Sequence, residues 1–121
     1  MARPGTTFVD EEKAAQAAKQ KRIQRERAEA AREGYADAIK RAEAKVKACD
    51  QTLAKLEKIQ ELWCDIPKDV LVGGVQANFA GQDLASKAKK AVAVTRDRAT
   101  DDLTRAKSAR ETNERQIADL S

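Results

Sequence analysis

Two cysteines are the first side chains in this sequence to consider for chemistry. Cys49 and Cys64 are fifteen residues apart, and histidine is absent from all 121 positions. On one helix their Cα atoms would be roughly 22 Å apart, whereas a disulfide requires a separation below about 7 Å. Two thiols without histidine are also too few ligands for a zinc ion. We therefore expect free, small core cysteines in a reducing compartment and no bound metal; the alternative is a thiol contact with a partner.

The carboxylates and glycines provide no catalytic arrangement either. For acidic residues such as Asp101 and Asp102, the sequence indicates no apolar pocket of the kind that adapts a carboxylate to acid–base catalysis. Gly73 and Gly74 lack the spaced glycines and the Lys-Ser/Thr pair of a phosphate-binding loop. We interpret the chain as a non-enzyme without a cofactor.

The composition favours long helices over a wide globular core. Charged residues make up 36% of the chain and aromatic residues 3%, and the only prolines are Pro4 and Pro67. Such a mixture is typical of long helices and coiled coils. There is no run of about 20 apolar residues that would span a membrane, and the N-terminus lacks the apolar core of a secretory signal. The formal net charge of +4 is compatible with an acidic partner but does not require one.

Apolar residues recur with the four-and-three spacing of a helical seam in two long stretches, which predicts an all-α fold. Specifically, we predict an antiparallel, coiled-coil-like two-helix hairpin over residues 35–121. The first series is Tyr35, Ile39, Ala42, Val46, Cys49, Leu53, Leu56, Gln60 and Trp63, and the second is Leu84, Ala88, Val92, Thr95, Ala99, Leu103, Ala106, Arg110, Asn113, Ile117 and Leu120.

The chain reversal is predicted at residues 67–74. Pro67 should end the first helix because the residue before a proline is disfavoured in helical geometry. Gly73 and Gly74 supply the backbone freedom for the turn. The second helix should begin near Val75, or later with Asp83 as its cap.

Folding the two series back on each other predicts the register of the hairpin. The expected neighbours are Trp63 with Leu84, Cys49 with Ala99, and Tyr35 with Asn113. Two interpretations of Asn113 are open. It could pair with Tyr35 and fix the register, or it could stay solvated with Arg110 at a frayed open end.

Residues 1–34 are expected to form a charged N-terminal arm, with a flexible tip over residues 1–10 followed by helix. The arm has good helix propensity but almost no large apolar residue except Ile23. It could extend unpacked or become ordered against a partner. The segment Lys19–Arg27 is densely basic and could attract nucleic acid. Because Glu26 interrupts it and no aromatic residue is interleaved for base stacking, we favour a solvated helix face and do not expect a nucleic-acid partner.

More apolar side chains gather around the predicted turn than one two-helix seam can enclose. We expect them to bury against another helical protein or a second copy of the chain. Two functions follow: a non-catalytic interaction protein, or a self-assembling coiled-coil scaffold subunit such as a prefoldin-like arm. The candidate partner-binding residues are Ile59, Leu62, Trp63, Ile66, Val70, Leu71, Val72 and Phe79.

The turn resembles that of a known family. Leu71-Val72-Gly73 stands where small type VII secretion substrates carry Trp-x-Gly, and Phe79 falls where their later aromatic residue lies. Leu-x-Gly itself is found in the related LXG proteins, whose toxin-bearing members are exported with small helical partners. The chain departs from the family in two respects: its only Trp is upstream, at position 63, and no tyrosine follows Tyr35 to form the C-terminal Tyr-x-x-x-Asp/Glu export signal.

The same aromatic-to-acid spacing occurs from Phe79 to Asp83, but there it lies at the start of the second helix. The resemblance therefore implies a chaperone-like or targeting partner that completes a composite export signal. It implies a heterodimer with the helical domain of an LXG-type effector. Such a partner would be cytoplasmic, with co-export by a route that needs no signal peptide.

Overall fold

Two long helices joined by a short β-ribbon make up the described part of the chain, so the predicted all-α helical hairpin is confirmed. The computed structural model describes residues 8–121. Helix α1 spans Phe8–Cys64 (57 residues) and helix α2 spans Ala77–Asp119 (43 residues). Strands β1 (Leu71–Val72) and β2 (Val75–Gln76) pair antiparallel between them. Both helices are rich in alanine and long charged residues, which lose little side-chain freedom in a helix.

The chain reverses in a two-residue turn. Gly73 and Gly74 have φ angles of 59° and 80°. In the flanking ribbon, Val72 pairs with Val75. Positive φ at both central positions is the signature of a type I′ turn, whose twist matches that of a β-hairpin. The sequence analysis did not predict the ribbon.

Both helix ends at the tip differ from the prediction. Helix α1 ends at Cys64, before Pro67, and a tight turn follows in which the Ile66 N–H donates to the Trp63 carbonyl at 3.3 Å. Helix α2 begins at Ala77, two residues after the predicted start near Val75, because Val75 and Gln76 extend to pair with β1. The Ala77 N–H then donates to the Val70 carbonyl at 2.9 Å and ties the ribbon to α2.

The chain divides into two compact units, of which one comprises residues 39–105. Its seam is filled mainly by small residues. The large seam residues Val46, Leu53, Leu56 and Leu103 are only half-buried. The buried apolar residues of this unit are Ile39, Ala42, Cys49, Ala77, Ala85 and Ala99.

The predicted seam of α2 is wrong at two positions in this unit. Leu84 is 67% exposed, and its neighbour Ala85 is buried in its place. Thr95 is likewise exposed, while Arg96 turns partly inward and bonds to Asp50. The large residues of the heptad series therefore do not mark the buried face, which follows a line of small residues instead.

The other unit comprises residues up to 38 together with residues 106–121. Ala28, Asn113 and Ile117 are its buried residues. Because Arg32 forms two hydrogen bonds with Glu114, at 2.8 and 2.9 Å, this part of the expected N-terminal arm contacts α2. Residues 9–22 of the arm are helical and exposed. The tip expected to be flexible over residues 1–10 lies mostly outside the described residues.

Both interpretations of Asn113 are corrected by this unit. The Asn113 Nδ2 group donates to the Ala28 carbonyl at 2.9 Å, so Tyr35 is not its hydrogen-bond partner. Asn113 is buried, so it is not a solvated residue at a frayed end. Arg110 is exposed and leaves the seam, whereas Ala109 is half-buried.

Candidate interaction surface

None of the eight predicted partner-binding residues is buried. Trp63 and Ile66 are half-buried, and the other six are exposed. Two further apolar residues are exposed that were not predicted as partner-binding. Val75 was assigned to the start of the second helix and Leu84 to the seam. We define the tip cluster as the eight exposed residues Ile59, Leu62, Val70, Leu71, Val72, Val75, Phe79 and Leu84.

Trp63 packs against Gly81, which lies three residues before Leu84, the neighbour that the predicted register gave it. A Cβ atom added at Gly81 would overlap the indole ring at Cδ2, Cε2 and Cε3. Only glycine therefore allows this approach of the ring to the backbone of α2. Trp63 is part of the hairpin seam and is only partly available to a partner.

One side of the seam near the tip is closed by polar bridges between the helices. The Lys89 ammonium donates to Gln60 Oε1 at 3.1 Å and lies 3.4 Å from Glu57. Further along, the Arg96 guanidinium bonds to the Asp50 carboxylate, and this hydrogen bond raises the pKa of Arg96. We call this the bridged side.

The other side of the seam is apolar. Successive helical residues are rotated by about 100°. Leu62 lies two residues after Gln60, so the directions of the two side chains differ by about 160°. By the same geometry Leu84 points about 140° away from Lys89. Both leucines therefore face away from the bridged side. Residues at helical spacing from them share this side, which we name the apolar flank: Ile59 and Leu62 of α1, and Ala80, Leu84, Ala88 and Ala91 of α2.

Phe79 does not share this flank. It precedes Leu84 by five residues, which rotates it by about 140° from that leucine. Phe79 is 58% exposed, and the ribbon residues Leu71 and Val72 are 60% and 61% exposed. The predicted site thus consists of a ribbon with an outward phenylalanine and a separate helical flank.

Asn78 is a buried polar residue in the first turn of α2 that the sequence analysis did not identify. Its side-chain oxygen Oδ1 is buried and has no hydrogen-bond partner. An unsatisfied buried acceptor costs about 1–3 kcal/mol. Asn78 therefore destabilises the tip relative to an apolar residue of similar size.

The thiols and carboxylates of the described residues do not gather into a metal-binding group. Between residues 8 and 121, no three or more cysteine, aspartate or glutamate side chains are grouped so that they could hold a metal ion. Cys49 is buried, as expected, but Cys64 is exposed because it is the last residue of α1, beyond the seam. Within the same range neither helix is both long enough and apolar enough to span a bilayer.

No protein-family model matches this chain, and no curated protein or solved structure is significantly similar to it. The tip cluster and the apolar flank are therefore the features from which a function can be inferred.

Proposed function

We propose that this protein is a non-catalytic interaction protein that binds another helical protein through the tip of its hairpin. The supporting observation is the concentration of exposed apolar side chains at one place. The described residues include ten large apolar residues that are exposed, and eight of these form the tip cluster. Exposed apolar patches, such as the ribbon and the apolar flank, mark interaction sites in soluble proteins.

The energetics favour a covered tip. Full burial of a Leu, Val or Phe side chain contributes about 1.5–3 kcal/mol, and the cluster leaves most of this contribution unused. The seam cannot supply it, because even Val46 and Leu103 remain half-buried there.

The finer proposal is that the partner is the helical N-terminal domain of an LXG-type effector of type VII secretion. In this role the protein acts as a cytoplasmic chaperone or targeting factor that is co-exported with the effector. Its support is the resemblance at Leu71-Val72-Gly73, together with the outward position of Leu71 and Phe79. A two-helix hairpin is also the topology that this resemblance implies.

The mass of the purified chain in solution tests the general proposal. We expect the chain alone to self-associate at increasing concentration and to bind an apolar dye, and a cognate effector domain to form a defined complex with it. Val72→Asp should abolish self-association, dye binding and complex formation. Val9→Asp is the matched control, because Val9 is 54% exposed but lies outside the tip cluster. A stable, dye-free monomer would contradict the proposal.

A self-assembling scaffold subunit is the second candidate. The half-buried seam residues Val46, Leu53 and Leu103 favour it, because a second hairpin laid along the first would cover them in a four-helix bundle. This function predicts a fixed homo-oligomer whose mass does not change when an effector domain is added. Disulfide cross-linking through the exposed Cys64 would report copies that meet at their tips.

A further inference from the structure

We propose that the apolar flank binds one amphipathic helix whose apolar stripe is bordered by acidic residues. This inference rests on the proposed function and specifies the chemistry of the partner. It is based on the charges that border the flank, which differ from those on the bridged side.

Within the two helices, the charged residues at helical spacing from the flank leucines are basic, and the acidic Asp65, three residues after Leu62, lies beyond the end of α1. Lys58 and Lys55 precede Leu62 by one and two helical turns, and Lys87 follows Leu84 by one turn. All three lysines are exposed. Arg98 continues the same side of α2, because it follows the flank residue Ala91 by two turns.

The acidic residues of this region are mostly directed elsewhere. Glu57 and Asp50 lie on the bridged side, where their carboxylates meet Lys89 and Arg96. Asp83 is the acid closest to the flank and forms an ion pair with Lys87 at 2.9 Å. Glu61 is rotated by about 100° from Leu62 and points away from α2. Because Asp83 offsets the charge of Lys87, the positive border of the flank comes mainly from Lys55 and Lys58 on α1 and from Arg98 on α2.

The shape of the flank suits a single helix. Its α1 side carries the large residues Ile59 and Leu62, whereas its α2 side is mostly alanine, with Leu84 between Ala80 and Ala88. Small residues allow a packed helix to approach closely, at interaxial distances of about 8–10 Å. Apolar residues of the partner would lie over the alanines, and its acidic residues would reach the lysines on both borders.

The same charges disfavour a second copy of this chain on the flank. A two-fold interface uses the same patch on both subunits, so it would bring one set of lysines close to the other. Juxtaposed like charges oppose such an association. The positive border thus favours an acidic partner helix over self-association on this side.

Two synthetic peptides test the inference. Both are helical and carry the same leucine stripe, but one has glutamate and the other lysine at the positions beside it. Their binding to the full chain is measured by fluorescence anisotropy at 50 and 500 mM NaCl. We expect the acidic peptide to bind roughly ten-fold more tightly at low salt and to lose this advantage at high salt. Equal binding of the two peptides, or binding of neither, would overturn the proposal.

Variants locate the binding site. Lys55→Glu combined with Lys58→Glu should reverse the preference between the peptides, and Leu84→Ser should weaken both. The matched control combines Lys19→Glu with Lys21→Glu, which changes the net charge equally on an exposed part of α1. If the two double variants change peptide binding equally, the acidic peptide is attracted by the net charge of the chain, and the proposed binding site on the flank is wrong.

The outcome is separable from that of the proposed function. If Val72→Asp abolishes complex formation with the effector domain while Leu84→Ser leaves it unchanged, the β-ribbon binds a partner and the apolar flank does not. Circular dichroism of each variant confirms that its helices are intact before the binding measurements are compared.

Discussion

The indole ring of Trp63 lies directly against the backbone of Gly81, where α1 and α2 meet near the tip. This contact requires a residue without a side chain at position 81. Ala77 and Ala85, one helical turn to either side of Gly81, are buried in the same line. The packing of the single tryptophan thus determines which face of α2 is buried, and it turns Leu84 outward onto the apolar flank.

Gly81→Ala should destabilise the protein even though alanine is the better helix former. The added methyl group overlaps the indole, and overpacking of this kind costs about 1–3 kcal/mol, which exceeds the gain of about 0.5–1 kcal/mol in helix propensity. Chemical denaturation followed by Trp63 fluorescence measures the difference. Gly34→Ala is the control, because no atom lies within 4 Å of a Cβ built there; it should stabilise by about 0.5–1 kcal/mol. A shift of both variants in the same direction would contradict the proposed contact.

Substitution of the turn glycines should destabilise the β-ribbon. Gly73 and Gly74 have positive φ, and an L-residue with a Cβ atom held there loses roughly 1–2 kcal/mol. Gly74→Val should therefore lower the free energy of unfolding by about that amount. Gly73→Asn should have a much smaller effect, because asparagine tolerates this conformation and Asn-Gly is a preferred type I′ sequence. The unfolding free energies of the two variants check this, and equal losses would argue against the turn type.

The topology could be predicted from the sequence, and the register to within about two residues, but the buried face of α2 near the tip could not. Pro67 and the Gly73-Gly74 pair mark the reversal, and the apolar spacing marks two helices. Alanine, however, occupies so many positions of α2 that several faces of that helix could form the seam. The heptad series followed the larger Leu84, whereas the structure buries the small residues that make room for Trp63.

The candidate site was predictable to a similar degree. An excess of apolar residues near the turn can be counted in the sequence, and six of the eight predicted residues are exposed. The division into bridged side and apolar flank depends on which residues face each other, for example Gln60 and Lys89. That information requires the register. The i,i+4 line of small residues from Ala77 through Gly81 to Ala85 was the signal that could have indicated it.

Asn113→Asp should destabilise the hairpin at neutral pH. The substitution preserves the shape of the side chain but replaces the Nδ2 donor with an oxygen, which faces the Ala28 carbonyl in a buried position. Loss of a buried hydrogen-bond partner costs about 1–3 kcal/mol, and more for a charged group. Protonation of the aspartate should restore part of the stability at acidic pH, because the neutral acid can donate again. Thermal unfolding at pH 7 and pH 4 measures this, with Thr112→Asp as the exposed control on the same helix. A similar loss in both variants would contradict a specific role for Asn113.

The ion pair between Arg32 and Glu114 should make stability depend on acidic pH. The two hydrogen bonds from the guanidinium hold the pKa of Glu114 below its usual value. A carboxylate with a lowered folded-state pKa stabilises the protein above its unfolded-state pKa, about 4.3. This contribution is lost as the pH falls through the lower folded-state value. The wild-type melting temperature should therefore fall more between pH 6 and pH 3 than that of Glu114→Gln, and 1 M NaCl should reduce the difference because the pair is exposed. Glu111→Gln is the control, because it removes the same charge from a pair with Arg115 within α2. If the melting temperature of this variant depends on pH as weakly as that of Glu114→Gln, the ion pair between the helices is not the cause of the pH dependence.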